Sequence, residues 1–226
     1  MSSSHSSYES LLAADIFPHA SPDLLRLRWN LNSDDISDSI LILDDPTNGD
    51  SDGEPFSSTH RICELASHCP AVSSIVVSIE SLNNYANEWI YTHKVHGYPV
   101  DFDEEEWGPP FFDSEGVAIH CCGEDRPGQG PKLEIVAEAG HFVTVGQFVN
   151  AVHPCLRGLK GQLNSAVNVW RCWGPQEDPE MIVRLSWIPI RVHDTKGWTP
   201  EWAARDREIQ AKIAKNTFQT MGELGL

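Results

Sequence analysis

The sequence predicts an α+β fold, in which a mostly antiparallel sheet packs on one long helix. Segments of alternating or β-branched apolar residues recur along the chain, and this pattern is typical of strands. One apolar run instead advances in steps of three and four from Val145 to Trp170, which keeps its side chains on one side of a helix. A chain of 226 residues that is 40% hydrophobic is long enough for one substantial domain or two small ones. We favour a single domain over 23–195, between a tail at 1–22 and a C-terminal helix at 196–226.

Six segments are predicted to be the strands of this sheet. They are 24–31, 40–43, 74–79, 117–122, 133–137 and 181–187. The first segment alternates between apolar and polar residues and is expected to pair with the second. We predict that the fourth and fifth segments are the two arms of a hairpin, because the connection between them is rich in glycine and proline.

The long helix is predicted over 145–172. Thr144 and Gln147 have the spacing of a capping box, in which each side chain satisfies a backbone N–H group at the helix start. Pro154 lies inside the run and removes a helical hydrogen bond, so we predict a kink there or a break into two helices. Gly174, which a proline follows, is expected to end the helix.

The shorter elements are predicted from local residues. Residues 1–22 are rich in serine and are predicted to be a flexible tail, with room for a short helix. Thr59 is expected to cap a brief helix that Pro70 ends. The segment 81–95 fits either a helix or a strand, and we favour a helix. A Thr-Pro pair predicts the start of the C-terminal helix within 196–226.

The charge of the chain limits its partners. The formal net charge is −17, from 33 acidic and 16 basic residues. Such a charge repels phosphate backbones and anionic lipids, so we expect no binding to nucleic acid or to membranes. A basic protein partner is favoured instead. The acidic residues concentrate in two predicted loops, 33–58 and 101–115.

Location and cysteine chemistry are linked. The N-terminus lacks the basic and apolar segments of a secretory signal, and no run approaches the roughly 18 apolar residues that cross a bilayer. We therefore expect a protein of the cytosol or nucleus that is not secreted, with reduced cysteines.

The cysteines are also weighed as zinc ligands. Cys63, Cys69, Cys121 and Cys122, with neighbouring histidines, supply enough ligands for zinc, but pairs with CxxC spacing are absent. The prediction is packed, reduced cysteines with no metal and no cofactor.

Three residues form a candidate acid–base site: His120, Glu134 and His141. In the predicted hairpin His120 and Glu134 share the polar face and sit opposite one another, so that the carboxylate would raise the basicity of the imidazole. His141 precedes the capped helix, whose N-terminus favours anionic groups. The alternative is a cross-strand salt bridge on a solvated sheet face.

The candidate binding site is the aromatic, acidic segment 101–112. Its binding residues are Asp103, Glu104, Glu105, Trp107, Phe111 and Phe112. Carboxylates interleaved with aromatic rings suit a basic or aromatic partner. The alternative is that these rings fold back and cover the core.

The segment 133–159 resembles a group of uncharacterised fungal proteins. The likeness rests on a strand at 133–137 followed by Val-Thr-Val-Gly-Gln-Phe-Val-Asn-Ala-Val-His-Pro-Cys-Leu-Arg-Gly-Leu at 143–159. The segment 24–31 is also similar to their early strand, which contains a tryptophan. The resemblance implies a fungal, intracellular origin and implies no catalytic residue.

Two functions are compatible with the sequence. The first is an intracellular, non-enzymatic interaction protein that binds a basic partner through its acidic and aromatic loops. The second is a small fungal enzyme, for example in secondary metabolism, that works by acid–base catalysis without a cofactor. A deep pocket around the catalytic candidates would favour the enzyme, whereas an exposed patch of Trp107, Phe111 and Phe112 would favour the interaction protein. A small-molecule ligand is compatible with either function.

Overall fold

The computed structural model of this protein contains helices and antiparallel sheets, as the predicted α+β fold requires. The structure describes residues 5–44, 51–94, 111–121, 123–169, 180–185 and 188–194, together with 205, 208, 209 and 212. Within these residues the strands pair antiparallel in a five-stranded, a three-stranded and two two-stranded sheets. The six predicted strands are therefore divided among three sheets instead of sharing one.

The elements follow in chain order. The strands are β1 (His19–Ala20), β2 (Leu27–Asn30), β3 (Ile40–Leu43), β4 (Gly53–Pro55), β5 (His68–Cys69), β6 (Ser74–Val77), β7 (Phe111–Phe112), β8 (Ala118–Cys121), β9 (Glu124–Asp125), β10 (Leu133–Val136), β11 (Met181–Arg184) and β12 (Arg191–Asp194). The helices are α1 (Tyr8–Ala13), α2 (Ile36–Ser39), α3 (Glu80–His93), α4 (Val145–Gly158) and α5 (Lys160–Asn168), and 3₁₀ turns cover Leu24–Arg26 and Arg61–Glu64.

The five-stranded sheet has the order β12-β11-β2-β3-β4. The predicted pairing of its two early strands is confirmed, with Trp29 opposite Ile40. β2 is shorter than predicted because Leu24–Arg26 turn as a 3₁₀ helix before the chain extends. The sheet carries its apolar side chains on one face, since alternate residues of a strand point the same way.

That apolar face packs on α4 and forms the main core. Trp29 of β2 and Val183 of β11 are buried there together with Val149 and Val152 of the helix. The indole Nε1 of Trp29 donates a hydrogen bond to Nδ1 of His153 at 3.1 Å, which joins sheet and helix through a buried polar contact. Each large apolar side chain buried in this core contributes about 1.5–3 kcal/mol.

The long apolar run forms two helices, α4 and α5. The predicted capping box is confirmed, because the hydroxyl of Thr144 accepts from the Gln147 N–H and the Gln147 amide oxygen accepts from the Thr144 N–H. The break between the helices falls at Leu159, later than Pro154, directly after Gly158. Glycine is a weak helix former, which favours a break at this point. A kink at Pro154 itself stays a prediction.

The predicted hairpin of 117–122 with 133–137 is wrong. β10 pairs with β6, which places Ile135 opposite Ile75, and both side chains are buried. β8 pairs instead with β7 and β9. The side chain of Ile119 in β8 is 38% exposed. The β6–β10 pair brings apolar residues opposite one another, such as Leu133 and Val77, and cross-strand pairs of this kind stabilise a sheet.

The predicted flexible tail is also corrected, because residues 5–22 are held against the domain. Ser7 caps α1 by accepting from the Ser10 N–H, and Tyr8 is buried in the main core. The carboxylate of Glu9 accepts a hydrogen bond from the Val76 N–H at 2.9 Å, and β1 pairs with β5. The serine-rich composition indicated a flexible tail, but the buried Tyr8 and the helix cap Ser7 hold the segment in place.

Two further helical predictions have different outcomes. α3 confirms the helical interpretation of 81–95. The brief helix predicted before Pro70 is the 3₁₀ turn Arg61–Glu64, and its cap is His60 rather than Thr59. The Nδ1 atom of His60 accepts from the Ile62 N–H at 3.1 Å, which gives the imidazole the role expected of the hydroxyl.

The predicted acidic loops and the C-terminal helix are described only in part. Within 33–58, α2 and β4 are regular, and β4 pairs with β3 at the sheet edge. Residues 45–50, 101–110 and the expected helix end at Gly174 lie outside the described residues, as does most of 196–226. In the part of the chain that is described, no helix is both long and apolar enough to cross a membrane.

Candidate functional site

Two exposed phenylalanines lie on the three-stranded sheet. β8 is its central strand, with β7 and β9 at its edges. The side chains of Phe111 and Phe112 in β7 are 56% and 47% exposed. These two rings therefore do not fold back to cover the core, which was the alternative to an exposed binding segment. We call the surface formed by β7, β8 and β9 the phenylalanine surface.

The phenylalanine surface is anchored by a small core of its own. Ala118 and Cys121 of β8 are buried together with Trp89 of α3 and Val169. The Trp89 indole stacks on the imidazole of His93, with ring centroids 4.1 Å apart. Because these contacts fix β8, the strand that carries the exposed rings pairs with a supported strand.

A row of three side chains crosses this surface. Phe111 lies opposite His120, and His120 lies opposite Asp125. The Phe111 and His120 rings meet at 65° with centroids 6.0 Å apart, and Nδ1 of His120 is 2.7 Å from Oδ1 of Asp125. Directly opposed residues of an antiparallel pair share one face, so an aromatic ring, an imidazole and a carboxylate lie side by side.

The turn between β7 and β8 is organised by Asp113. Its carboxylate accepts hydrogen bonds from the backbone N–H groups of Val117 at 2.9 Å and Glu115 at 3.0 Å, and it pairs with Arg126 at 3.4 Å. The Val117 N–H, followed by the Glu115 N–H and Arg126, lowers the pKa of Asp113. Gly116 has φ +76°, a left-handed conformation that glycine adopts without strain. These contacts fix the direction in which the chain leaves Phe112.

The phenylalanine surface is acidic. Glu115, Glu124 and Asp125 are exposed around it, whereas the guanidinium of Arg126 is paired with Asp113. The other predicted binding residues, Trp107 together with Asp103, Glu104 and Glu105, lie outside the described residues. The described part of the predicted binding site thus combines exposed aromatic rings with a negative surround.

The candidate catalytic residues are not brought together. Glu134 lies in β10, opposite Val76 of β6, whereas His120 lies in a different sheet with Asp125 as its carboxylate partner. His141 lies in the turn that precedes α4. The predicted opposition of His120 and Glu134 fails because the hairpin that would have created it does not form.

His141 does border a groove at the start of α4. The groove has a volume of about 250 Å³ and is lined by Glu138, His141, Phe142, Thr144 and Gln147. It is open to solvent, and neither His120 nor Glu134 lines it. Among the described residues the three catalytic candidates therefore share no pocket, and the groove at α4 holds one of them.

Two buried histidines, His68 and His153, lie outside both of the predicted sites. His68 is 4% exposed, and burial followed by the neighbouring charge of His19 lowers its pKa from 6.5 to about 3. His153 is 1% exposed, and burial lowers its pKa as well. The position of His153 four residues after Val149 on the apolar side of α4 was a signal that could have found it. His68 stands in the sequence next to Cys69, as one of the histidines beside the candidate zinc ligands.

The structure provides no described metal centre. Within the described ranges, no three His, Cys, Asp or Glu side chains are grouped as metal ligands. Cys69 and Cys121 are buried, and Cys63 and Cys155 are half-buried. Burial raises the pKa of the Cys63, Cys69 and Cys155 thiols, which favours the protonated, unreactive form.

The comparisons with known proteins add no relative. No protein family, curated protein or solved structure matches the chain.

Proposed function

We propose that this is an intracellular, non-enzymatic interaction protein that binds a basic partner through the phenylalanine surface. The observation that carries the proposal is the exposure of Phe111 and Phe112 on β7, which pairs with the strand β8 that a small core holds in place. Adjacent aromatic residues that remain in water on a supported strand indicate a surface that is buried in a complex.

Aromatic rings would supply most of the binding energy. Phenylalanine buries a large apolar area, and residues of this kind are common among the few that dominate an interface. The side-chain stem of a lysine or arginine can pack on such a ring while its charge lies over the ring face. A partner with basic residues next to apolar ones therefore fits Phe111 and Phe112 better than a purely apolar partner.

Acidic residues would increase the rate of association and select a basic partner. Glu115, Glu124 and Asp125 surround the rings, and the formal net charge of the chain is −17. Complementary charge accelerates encounter with a basic partner and disfavours acidic ones, and the effect weakens as salt rises. We include Trp107, Asp103, Glu104 and Glu105 in the proposed interface, since they continue the same acidic and aromatic sequence.

Native mass spectrometry of the protein, isolated gently from its own cells, tests this proposal. The wild type is expected to carry the mass of a second, basic polypeptide, and the double variant Phe111→Ser, Phe112→Ser is expected to lose it. Phe17→Ser is the matched control, because Phe17 is also 56% exposed but lies outside the phenylalanine surface. Retention of the polypeptide by the double variant, or equal loss from the control, would contradict the proposal.

The groove beside His141 supports a second candidate function, an enzyme that uses acid–base catalysis without a cofactor. His141 and Glu138 lie at the same groove, so an imidazole and a carboxylate are available to one ligand there. A bound small molecule in the native mass, lost in His141→Ala and kept in His120→Ala, would favour this function. A second polypeptide that survives both substitutions would exclude these histidines from the interaction.

A further inference from the structure

Residues 5–22 lie against the domain as a strap that is buried only in part, and we call this segment the N-terminal strap. Tyr8 and residues 18–21 are buried, whereas the large apolar side chains of Leu12 and Phe17 between them are 38% and 56% exposed. The helix α1 within the strap has six residues, and a helix of this length is not stable alone in water. The strap therefore depends on its contacts with the domain to stay ordered.

Two hydrogen bonds join the strap to β6 and to the residue before it. The Ser73 N–H donates to the carbonyl of Ser6 at 2.9 Å, and the Val76 N–H donates to the carboxylate of Glu9 at 2.9 Å. The carbonyl of the same Ser73 accepts from the Ala137 N–H at 2.8 Å, at the end of β10. The strap thus satisfies backbone N–H groups of this segment that do not bond to β10.

His68 of β5 is covered by the strap. Its ring makes a T-shaped contact with the Tyr8 ring, with centroids 5.8 Å apart, and it lies opposite Ala20 where β5 pairs with β1. Its third described neighbour is the apolar ring of Phe148, which belongs to α4. Departure of the strap would remove Tyr8 and β1 from the imidazole and would expose it to water on that side.

The titratable groups around His68 favour its neutral form. Burial, followed by the charge of His19, lowers the pKa of His68 from 6.5 to about 3. Burial, followed by the charge of Glu9, raises the pKa of Tyr8, and burial raises the pKa of the Cys69 thiol, so both groups are uncharged between pH 5 and pH 7. Burial also lowers the pKa of His19, which lies in the strap itself. Both imidazoles therefore take up a proton more readily once the strap has moved away.

We propose that acid releases the N-terminal strap from the folded domain and uncovers His68 together with the backbone N–H groups of Ser73 and Val76. The driving force is the uptake of a proton by a histidine that the bound strap keeps neutral. The β6–β10 pair and α4 stay folded, so the release is a local opening. The strap shares no residue with the phenylalanine surface, and its release does not depend on the proposed partner.

Native-state hydrogen exchange followed by NMR tests the release, because each amide reports the opening that exposes it. At pH 5 the protection factors of the Ser73 and Val76 N–H groups should agree and should lie about tenfold or more below that of Ala137, whose N–H bonds to the same Ser73 from the domain side. From pH 7 to pH 5 they should fall about 25-fold or more, the change expected when release returns the pKa of His68 from about 3 to 6.5.

His68→Leu identifies the trigger and should make this fall about 25-fold smaller, leaving only the part that His19 contributes. Glu9→Gln is the matched control, because it keeps an oxygen acceptor for the Val76 N–H without a carboxylic acid. It should preserve the fall to within about threefold. In each variant the protection of Ala137 shows that the domain is folded.

Tyr8→Ala removes the buried anchor of the strap. It should lower the protection of Ser73 and Val76 at pH 7 about 100-fold while Ala137 stays protected. Leu12→Ala, at an exposed position of the same helix, should change their protection less than about threefold.

Equal protection of Ser73, Val76 and Ala137 at pH 5 would overturn the proposal, because the strap would then leave only when the whole protein unfolds. An equal fall with pH in His68→Leu and the wild type, with Ala137 protected in both, would overturn it as well.

Discussion

Replacing His68 by leucine should remove a large part of the acid sensitivity of the fold. The His68 ring makes T-shaped contacts with the rings of Tyr8 and Phe148, with centroids 5.8 Å and 5.7 Å away. Ser67 donates its hydroxyl proton to the Val143 carbonyl at 2.9 Å, so its oxygen accepts from Nδ1–H of His68 at 3.0 Å. This hydrogen bond fits a neutral imidazole that carries its proton on Nδ1.

The sign of the effect follows from where the proton binds. The pKa of His68 is 6.5 when it is exposed and about 3 in the folded protein. As the pH falls below 6.5 the unfolded chain takes up a proton that the folded protein refuses, so the unfolded state gains stability. The stability that the neutral His68 contributes is fully present above pH 6.5 and is lost progressively down to about pH 3. Between pH 7 and pH 5 the loss from this one residue is about 2 kcal/mol.

Urea unfolding at pH 7 and pH 5, followed by tryptophan fluorescence, measures this loss. Leucine keeps the apolar contacts of the site, and Ser67 still donates to Val143. The free energy of unfolding of His68→Leu should therefore fall between the two pH values by about 2 kcal/mol less than that of the wild type. His153 also has a pKa lowered by burial, but it contributes equally to both proteins and cancels in the difference.

His141→Leu is the matched control, because His141 is exposed and its removal should leave the pH dependence as it is in the wild type. The reasoning would be refuted if His68→Leu and the wild type lost equal stability between pH 7 and pH 5. That result would mean that the folded protein accommodates a protonated His68 at no cost.

Three further predictions concern stability and are checked by the same urea unfolding at pH 7. Gly146→Ala should cost about 1–3 kcal/mol, since its new Cβ would lie 2.9 Å from Cβ of Cys63, whereas Gly158→Ala in the same helix meets nothing within 4 Å and should gain about 0.5–1 kcal/mol. Equal effects of the two alanines would contradict the packing argument. Thr144→Ala should cost about 1 kcal/mol by removing the helix cap, and Thr144→Ser should restore most of it. Trp29→Phe should cost about 1–3 kcal/mol by leaving a buried imidazole nitrogen without its donor, and a neutral result would show that another group replaces the indole.

Elements that depend on nearby residues could be predicted from the sequence. The capping box of Thr144 and Gln147, the strand pairing of 24–31 with 40–43 and the helix at 81–95 all follow from residues within a few positions of one another. The break of the long helix was expected, but its position was not. Proline at 154 is the stronger breaker by propensity, yet packing of α4 against the sheet tolerates it.

Pairing between distant segments could not be predicted in this way. β6 and β10 are separated by α3 and the whole phenylalanine surface, and no residue in either strand identifies the other. The glycine-rich connection after β8 suggested a hairpin with β10, but the chain uses it for the short pair of β8 with β9. Because that hairpin does not form, Glu134 is not opposite His120. A catalytic site predicted from residues on two strands therefore depends on which strands pair.

The row across the phenylalanine surface explains why recognition is the better inference from His120. The sequence allowed either an acid–base pair or a solvated cross-strand salt bridge, and the structure contains a His–carboxylate pair, with Asp125 in place of Glu134. The side chain of Asp125 is 88% exposed, and the side chain of His120 is 28% exposed. Acid–base catalysis gains its strength where water is excluded, and this pair lies in water beside an exposed Phe111. Water is excluded from an exposed ring beside an exposed charge only when a partner covers both. Phe111, His120 and Asp125 are therefore better suited to contact with a partner than to catalysis.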